Sequence, residues 1–238
     1  MSRSQDYFQA KNQESVWGMT ENQLIAFFIN QHPGHIYPLL EKKWSWEVQD
    51  DATRRKWSFF ANLPLKSQAA PTLDLTDIDI FCLNNISPKE SVAIQVKKVK
   101  VRSDNARDAL NRGLGAKVRE AADQAGILIS LGFPLVSTLF IITIDAHRTR
   151  KGGIIWDTIG SKKLDSILNR IHRTQTDHAQ FGCIGLYVLL LTESGGHNID
   201  TQGAGGILRI IDPKNNPDEN EYFSAFLGNL LEQCQAAR

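Results

Sequence analysis

The 238-residue chain carries 27 Lys and Arg against 26 Asp and Glu, a net charge of +1, and 42% of its residues are apolar. This composition is typical of a soluble globular protein and excludes an intrinsically disordered chain. The three cysteines (Cys82, Cys183 and Cys234) are far apart and form no CxxC motif, which argues against a disulfide framework and against a structural zinc site.

The first predicted element is a helix that begins after Thr20, the expected N-cap of an apolar run that ends before Pro33 and Gly34. Residues 44–63 contain two strand-like segments on either side of a polar turn at residues 49–51. Together these patterns predict one helix followed by β-structure in the first quarter of the chain.

A β-hairpin is predicted over residues 75–97. Apolar and polar residues alternate over 75–83, residues 84–88 have turn-forming composition, and residues 91–97 form a second strand. After Lys97 the polar residues shift to the alternate positions that apolar residues occupy earlier in this strand. We therefore expect a strand end or a bulge near Lys97 and Lys98.

The remaining pattern alternates helices and buried strands. We predict a helix over 104–131, a strand over 136–144, a helix over 161–173, strands over 181–191 and 207–211, and a helix over 219–235. The fold class is therefore mixed α/β, in which the hairpin connects through a helical crossover to a parallel strand.

One stretch has the length of a membrane span. Residues 127–144 carry no charge over 18 positions, but Gly132, Phe133 and Pro134 interrupt them. A helix end, a turn and a buried strand explain this pattern better than a span does. The chain also begins with polar residues that lack an apolar signal core, so we expect a cytoplasmic protein with no membrane partner.

Charge is unevenly distributed behind the neutral total. Residues 97–119 hold eight basic and two acidic side chains, a net of +6, and residues 147–173 hold seven and two, a net of +5. Acidic residues collect near the C-terminus instead. The basic segments predict a surface that could face phosphates, although solvated helix faces would show the same pattern.

Four polar side chains of the predicted hairpin carry potential chemistry. Asp77 and Asp79 lie on one strand, and Gln95 and Lys97 on its neighbour, all with the parity that places them on one face. Carboxylate and amide oxygens suit Mg²⁺, and a nearby lysine can orient a water or offset charge on a phosphate. A wet strand face with no ligand is the alternative.

These residues resemble the signature of the PD-(D/E)xK, or restriction-endonuclease-like, nuclease superfamily. The signature has an Asp on one hairpin strand, followed on the next strand by an acidic residue or Gln, an apolar residue and Lys; here the match is Asp79 with Gln95-Val96-Lys97. The resemblance implies a core over about residues 20–145 with the order α-β-β-β-α-β, a mixed central sheet flanked by helices. Residues 146–238 would form a C-terminal α/β extension of the same single domain.

The resemblance also implies a role for each matched position. Asp79 would bind Mg²⁺ or Mn²⁺ with Gln95 and the Val96 carbonyl, and Asp77 competes with Asp79 as the main acidic ligand. Lys97 would be the catalytic lysine. The first helix often adds a Glu, for which Glu21 is the best-placed candidate and Glu14 the second. Here Gln95 replaces the commoner Glu, and no Pro precedes the Asp.

The implied function is a Mg²⁺-dependent nuclease that hydrolyses phosphodiester bonds, a DNA endonuclease of the restriction or defence type that acts as a homodimer. The expected backbone-contacting residues are Lys98, Lys100, Arg102, Arg107, Arg112, Lys117 and Arg119. Two alternatives remain open. One is a catalytically inactive nucleic-acid-binding or assembly module whose site is eroded at Gln95. The other is a partner-binding protein with a solvated strand face.

Overall fold

The computed structural model describes residues 19–30, 36–37, 40, 55–65, 77–102, 106–145, 161–178, 184–194, 198–201, 207–216 and 221–236. In chain order the elements are α1 (Glu21–Asn30), β1 (Trp57–Pro64), β2 (Asp77–Asn84), a 3-10 turn (Pro88–Glu90), β3 (Val92–Arg102), α2 (Ala106–Ser130), β4 (Leu135–Asp145), α3 (Ser161–His178), β5 (Gly185–Ser194), β6 (Asn198–Thr201), β7 (Ile207–Ile211) and α4 (Glu221–Ala236).

The seven strands form one mixed sheet in the order β1-β2-β3-β4-β5, with β6 and β7 both pairing antiparallel to β5. The pairs β1–β2 and β2–β3 are antiparallel, whereas β3–β4 and β4–β5 are parallel. Parallel neighbours need long crossovers, which α2 and α3 supply. The predicted mixed sheet with flanking helices and the order α-β-β-β-α-β are confirmed, and the chain continues into further strands and helices as expected.

Alternation along the strands divides the core between the two faces of the sheet. Ile94 and Val96 of β3 pack with Leu24 and Phe28 of α1 on one face. The intervening Ala93 faces the other way and packs in a cluster with residues of α2 and α4. Because both faces are apolar, the central strands lie between helices and not against solvent.

The start of α1 is fixed by a reciprocal capping box. The Gln23 backbone N–H donates to Thr20 Oγ1 at 3.2 Å, and the Thr20 N–H donates to Gln23 Oε1 at 2.6 Å. The predicted N-cap is confirmed. This cap holds Glu21 in the first helical turn, at the position from which it reaches β3.

The uncharged stretch at 127–144 divides as predicted. Helix α2 ends at Ser130, and Gly132 takes a φ of 83°. The Gly132 N–H donates to the Ile129 carbonyl at 2.9 Å and the Phe133 N–H to the Leu128 carbonyl at 3.1 Å, a Schellman ending that leads into β4. None of the described helices is both long enough and apolar enough to cross a membrane.

Three boundaries differ clearly from prediction, one of them at β5, for which the sequence predicts residues 181–191 and which ends at Ser194. Strand β3 continues without interruption to Arg102 because β4 pairs with it in parallel along its whole length, so the expected strand end or bulge at Lys97–Lys98 is wrong. Helix α3 runs beyond residue 173 to His178. Its last turns carry the buried Gln175, whose Oε1 accepts a hydrogen bond from Thr138 Oγ1 at 2.6 Å and so ties the helix to β4.

Some predictions lie outside the described residues. They include the strand-like segment at 44–48, the predicted start of α2 at residue 104, and Glu14. The predicted strands do not include β6, which lies between β5 and β7 in the chain and pairs antiparallel with β5.

Candidate active site

The candidate site lies where β2 and β3 stop pairing through their backbones. Regular pairs run only from Cys82↔Val92 to Ile80↔Ile94. Beyond them, side chains bridge the strands. Asp79 Oδ2 accepts a hydrogen bond from the Val96 N–H at 2.6 Å, and Gln95 Nε2 donates to the Asp77 carbonyl at 3.2 Å. The two halves of the sequence motif are therefore in direct contact.

Asp79 is a poorly solvated carboxyl group, 9% exposed. Burial raises the pKa of Asp79 to about 6, and the nearby charges of Glu21 and Asp77 add to this effect. The hydrogen bond from Val96 and the charge of Lys97 lower the pKa but do not cancel the burial. An ionised carboxylate in such surroundings would gain from a cation, which makes Asp79 a candidate functional group.

Lys97 is also buried, at 7% exposure, and two helices hold its ammonium. Lys97 Nζ lies 3.0 Å from Glu120 Oε1 of α2 and 3.8 Å from Glu21 Oε1 of α1. Both flanking helices thus contribute a carboxylate to one lysine, which restricts where its ammonium can move. A buried ammonium needs such partners, because desolvation would otherwise be costly.

Glu21 joins α1 to β3 through its second oxygen. Its Oε2 accepts a hydrogen bond from the Lys98 N–H at 2.6 Å, and Lys98 Nζ donates to the Met19 carbonyl at 2.5 Å. On the other side of the sheet, Lys117 Nζ of α2 donates to the Lys98 carbonyl. The backbone next to Lys97 is therefore fixed from both faces.

These contacts change the interpretation of the basic segment. Lys98 is 5% exposed and bonded to main chain, so it does not lie on the exposed phosphate-facing surface that the sequence predicts. Lys117 is half-buried, whereas Lys100 and Arg119 are exposed. The side chains of Arg102, Arg107 and Arg112 are outside the described part of the structure.

Sequence reasoning missed two polar residues of α2, of which Glu120 lies at the site. Glu120 contacts Lys97, and Gln124, one turn later, has a buried Oε1 with no hydrogen-bond partner in the described part of the chain. The only signal was their spacing from Lys117, since residues three, four and seven apart share a helix face. A charged residue on a long helix is usually solvated, so that signal did not single them out.

The oxygen donors here fit a hard cation better than a softer metal that prefers nitrogen or sulfur ligands. Within the described residues, no three His, Cys, Asp or Glu side chains come close enough together to hold a metal. A bound cation would use Asp79, an amide or backbone oxygen from Gln95 or Val96, and water. Mg²⁺ commonly takes one or two carboxylates and keeps several waters, so this donor set suits Mg²⁺ or Mn²⁺.

Comparison with known proteins gives little further information. No protein-family model matches the chain, and no curated protein matches it. Among solved structures, Pyrococcus furiosus SfsA in complex with Ca²⁺ is similar over 75% of this chain, with a TM-score of 0.28 and 8% sequence identity. The chain spans 61% of that protein's length. The fold assignment rests on the element order and strand pairing described above.

Proposed function

We propose that this protein is a metal-dependent nuclease that hydrolyses phosphodiester bonds, with DNA as its substrate. The observation that carries the proposal is the convergence of Asp79, Gln95 and Lys97 at the point where β2 and β3 separate, with Glu21 reaching in from α1. A buried carboxylate beside a restrained lysine is the pairing that metal-assisted phosphodiester hydrolysis requires.

Each residue has a defined part in this proposal. Asp79, with oxygens from Gln95 and Val96 and with Asp77 nearby, would hold Mg²⁺ or Mn²⁺. That cation would supply Lewis acidity and lower the pKa of a bound water. Lys97, fixed between two carboxylates, would place its ammonium against charge that develops on the phosphate. The fixed position matters because preorganised charge needs no rearrangement during the reaction.

The biological setting follows from the resemblance of Asp79 and Gln95-Val96-Lys97 to the PD-(D/E)xK signature. A restriction or defence endonuclease in the cytoplasm would cut both DNA strands, which calls for two copies of the site and hence a homodimer. The exposed cations Lys100 and Arg119 are candidates for backbone phosphate contacts. Such contacts would make DNA binding fall steeply as salt concentration rises.

One observation favours a second candidate, a catalytically inactive nucleic-acid-binding or assembly module. Gln95 uses its amide to hold the Asp77 carbonyl, a structural use of the position where the superfamily more often has a Glu. A site kept for structure in this way would still bring the basic residues to DNA without cutting it.

The experiment compares wild-type protein with Asp79→Asn and Lys97→Met on supercoiled plasmid, linear DNA and RNA, with Mg²⁺, Mn²⁺ or EDTA. Lys89→Met is the matched control, because Lys89 is exposed and lies in the turn just before β3 begins, away from Lys97. We expect cleavage of DNA that needs the metal, survives Lys89→Met and falls by about 100-fold or more in both site variants.

Salt-sensitive DNA binding without cleavage in the wild type would support the inactive module instead. A wild type that neither binds nor cleaves DNA would contradict both candidates. Cleavage at the wild-type rate in both site variants would show that the activity comes from elsewhere.

A further inference from the structure

Asn62 of β1 stands directly across from Asp79. The β1–β2 register is constant, with Ala61↔Ile80 and Leu63↔Ile78 as neighbouring pairs, yet Asn62 and Asp79 between them do not pair. The β2–β3 ladder ends at the same level, beyond Ile80. The regular backbone pairing of β2 is therefore interrupted at Asp79 on both of its sides.

The backbone at Asn62 has an uncommon conformation. Its φ is 48°, the one positive φ at a non-glycine position in the described part of the chain. Asn tolerates this left-handed region better than most residues, but it interrupts an extended strand. Such conformations persist where the surrounding structure imposes them, and they cluster at functional sites.

The side chain of Asn62 gives a second, independent observation. Its Oδ1 is buried and has no hydrogen-bond partner in the part of the chain that the structure describes. Buried acceptors are nearly always satisfied, because an unmade hydrogen bond leaves the desolvation cost unpaid. An acceptor of this kind, one strand from Asp79, points to a missing donor or cation.

We infer that Asn62 Oδ1 is a ligand of the cation that Asp79 binds, so that the site draws its oxygens from β1 as well as β2 and β3. The inference rests on the cation site of the proposed function. An amide oxygen is a suitable hard ligand and adds no further charge beside Asp79, Asp77 and Glu21. This also gives the strained, unsatisfied Asn62 a use that the fold alone does not provide.

The test measures Mn²⁺ binding directly, by the loss of the free Mn²⁺ signal in electron paramagnetic resonance. Asn62→Gly removes the ligand while keeping a residue that adopts positive φ at no cost, so the variant should fold. Asn62→Asp keeps an oxygen at the same position. Asn30→Gly, at the exposed end of α1, is the matched control.

We expect Asn62→Gly to weaken Mn²⁺ binding by roughly 10-fold or more, Asn30→Gly to bind like the wild type, and Asn62→Asp to bind at least as tightly as the wild type. Mn²⁺ should also raise the melting temperature of the wild type more than that of Asn62→Gly. Equal Mn²⁺ affinity in Asn62→Gly and wild type would overturn the inference, as would a wild type that binds no Mn²⁺.

Failure of the inference and failure of the proposed function give different results. Asn62-dependent Mn²⁺ binding without any nucleic-acid cleavage would leave the ligand assignment standing and remove the nuclease. Metal-dependent cleavage with unchanged Mn²⁺ affinity in Asn62→Gly would support the nuclease and overturn the assignment of Asn62 as a ligand.

Discussion

Lys97 Nζ of β3 lies 3.0 Å from Glu120 Oε1 of α2. Because α2 is the crossover between the parallel strands β3 and β4, this ion pair ties the candidate catalytic lysine to the element that builds the sheet. Glu21 approaches the same ammonium from α1 at 3.8 Å. The lysine is thus positioned by both helices that flank the sheet here.

Glu120 is predicted to act as a positioning residue for Lys97. Glu120→Gln should lower the cleavage rate by about 10-fold, because the ammonium loses one of the two charges that restrain it. Its effect on stability should stay below about 1 kcal/mol, since the Glu120 side chain is 56% exposed and solvent screens the pair. Single-turnover cleavage and urea unfolding measure the two effects separately.

Asp123→Asn, one turn along α2 on an exposed position, is the control for this substitution. A Glu120→Gln variant that cleaves as fast as the wild type would assign the ion pair to structure alone.

The raised pKa of Asp79 predicts a pH-dependent penalty on folding. A folded-state pKa of about 6 against an ordinary value of 3.8 means that the folded protein holds this proton more tightly than the unfolded chain. The associated stability is present below pH 4 and is lost as pH rises towards 6. Asp79→Asn should therefore be more stable than wild type above pH 6, by on the order of 2 kcal/mol.

Urea unfolding from pH 4 to pH 8 in EDTA measures this difference. The advantage of Asp79→Asn should grow with pH across the window. An advantage that is constant or shrinks with rising pH would mean that the Asp79 carboxyl is better solvated than its burial indicates.

The capping box of α1 is predicted to matter for both stability and the site. Thr20→Ala removes the side-chain acceptor for the Gln23 N–H and should cost about 1 kcal/mol. Since Glu21 follows directly, a frayed first turn should also slow cleavage. Thr176→Ala, at an exposed position of α3, provides the comparison in the same unfolding and cleavage assays.

Gln175 links α3 to two strands inside the core. Its Oε1 accepts from Thr138 Oγ1 at 2.6 Å, and its Nε2 donates to the Gly185 carbonyl at 3.3 Å. Gln175→Ala would remove both hydrogen bonds and should cost about 1–2 kcal/mol, because the Thr138 hydroxyl can still donate to the Gly185 carbonyl 3.3 Å away. Adding Thr138→Val should cost less in this variant than in the wild type, a coupling that a double-mutant cycle by urea unfolding measures.

Much of the fold was predictable because local patterns and long-range packing agree here. The turn composition at residues 84–88 between two strand-like segments predicted the hairpin, and the apolar spacing of α2 predicted the crossover. The alternation itself fails at one point, because Ile78 and Ile80, expected on one side of β2, pack in different core clusters. The capping residue Thr20 marked the start of α1 correctly. Each of these predictions depends on a local sequence pattern, which can be recognised without knowing which residues are neighbours in the folded protein.

The predictions that were wrong or missing concern side chains whose surroundings depend on which element packs over them. The sequence around Lys98 is typical of an exposed strand end, but the residues at the start of α1 cover Lys98. No pattern within β3 indicates that contact. Glu120 resembles an ordinary solvated helix residue until α2 is placed over Lys97. A positive φ at Asn62 has no signature in residue type alone, so its position opposite Asp79 emerged only from strand register.

The most direct test of the central claim is the rate at which purified protein nicks supercoiled plasmid in Mg²⁺, measured side by side for wild type, Asp79→Asn and Lys89→Met. Wild type and Lys89→Met should nick the plasmid in a reaction that EDTA abolishes, and the Asp79→Asn rate should be lower by about 100-fold or more. Equal rates for wild type and Asp79→Asn, or no nicking by any of the three proteins, would contradict the claim.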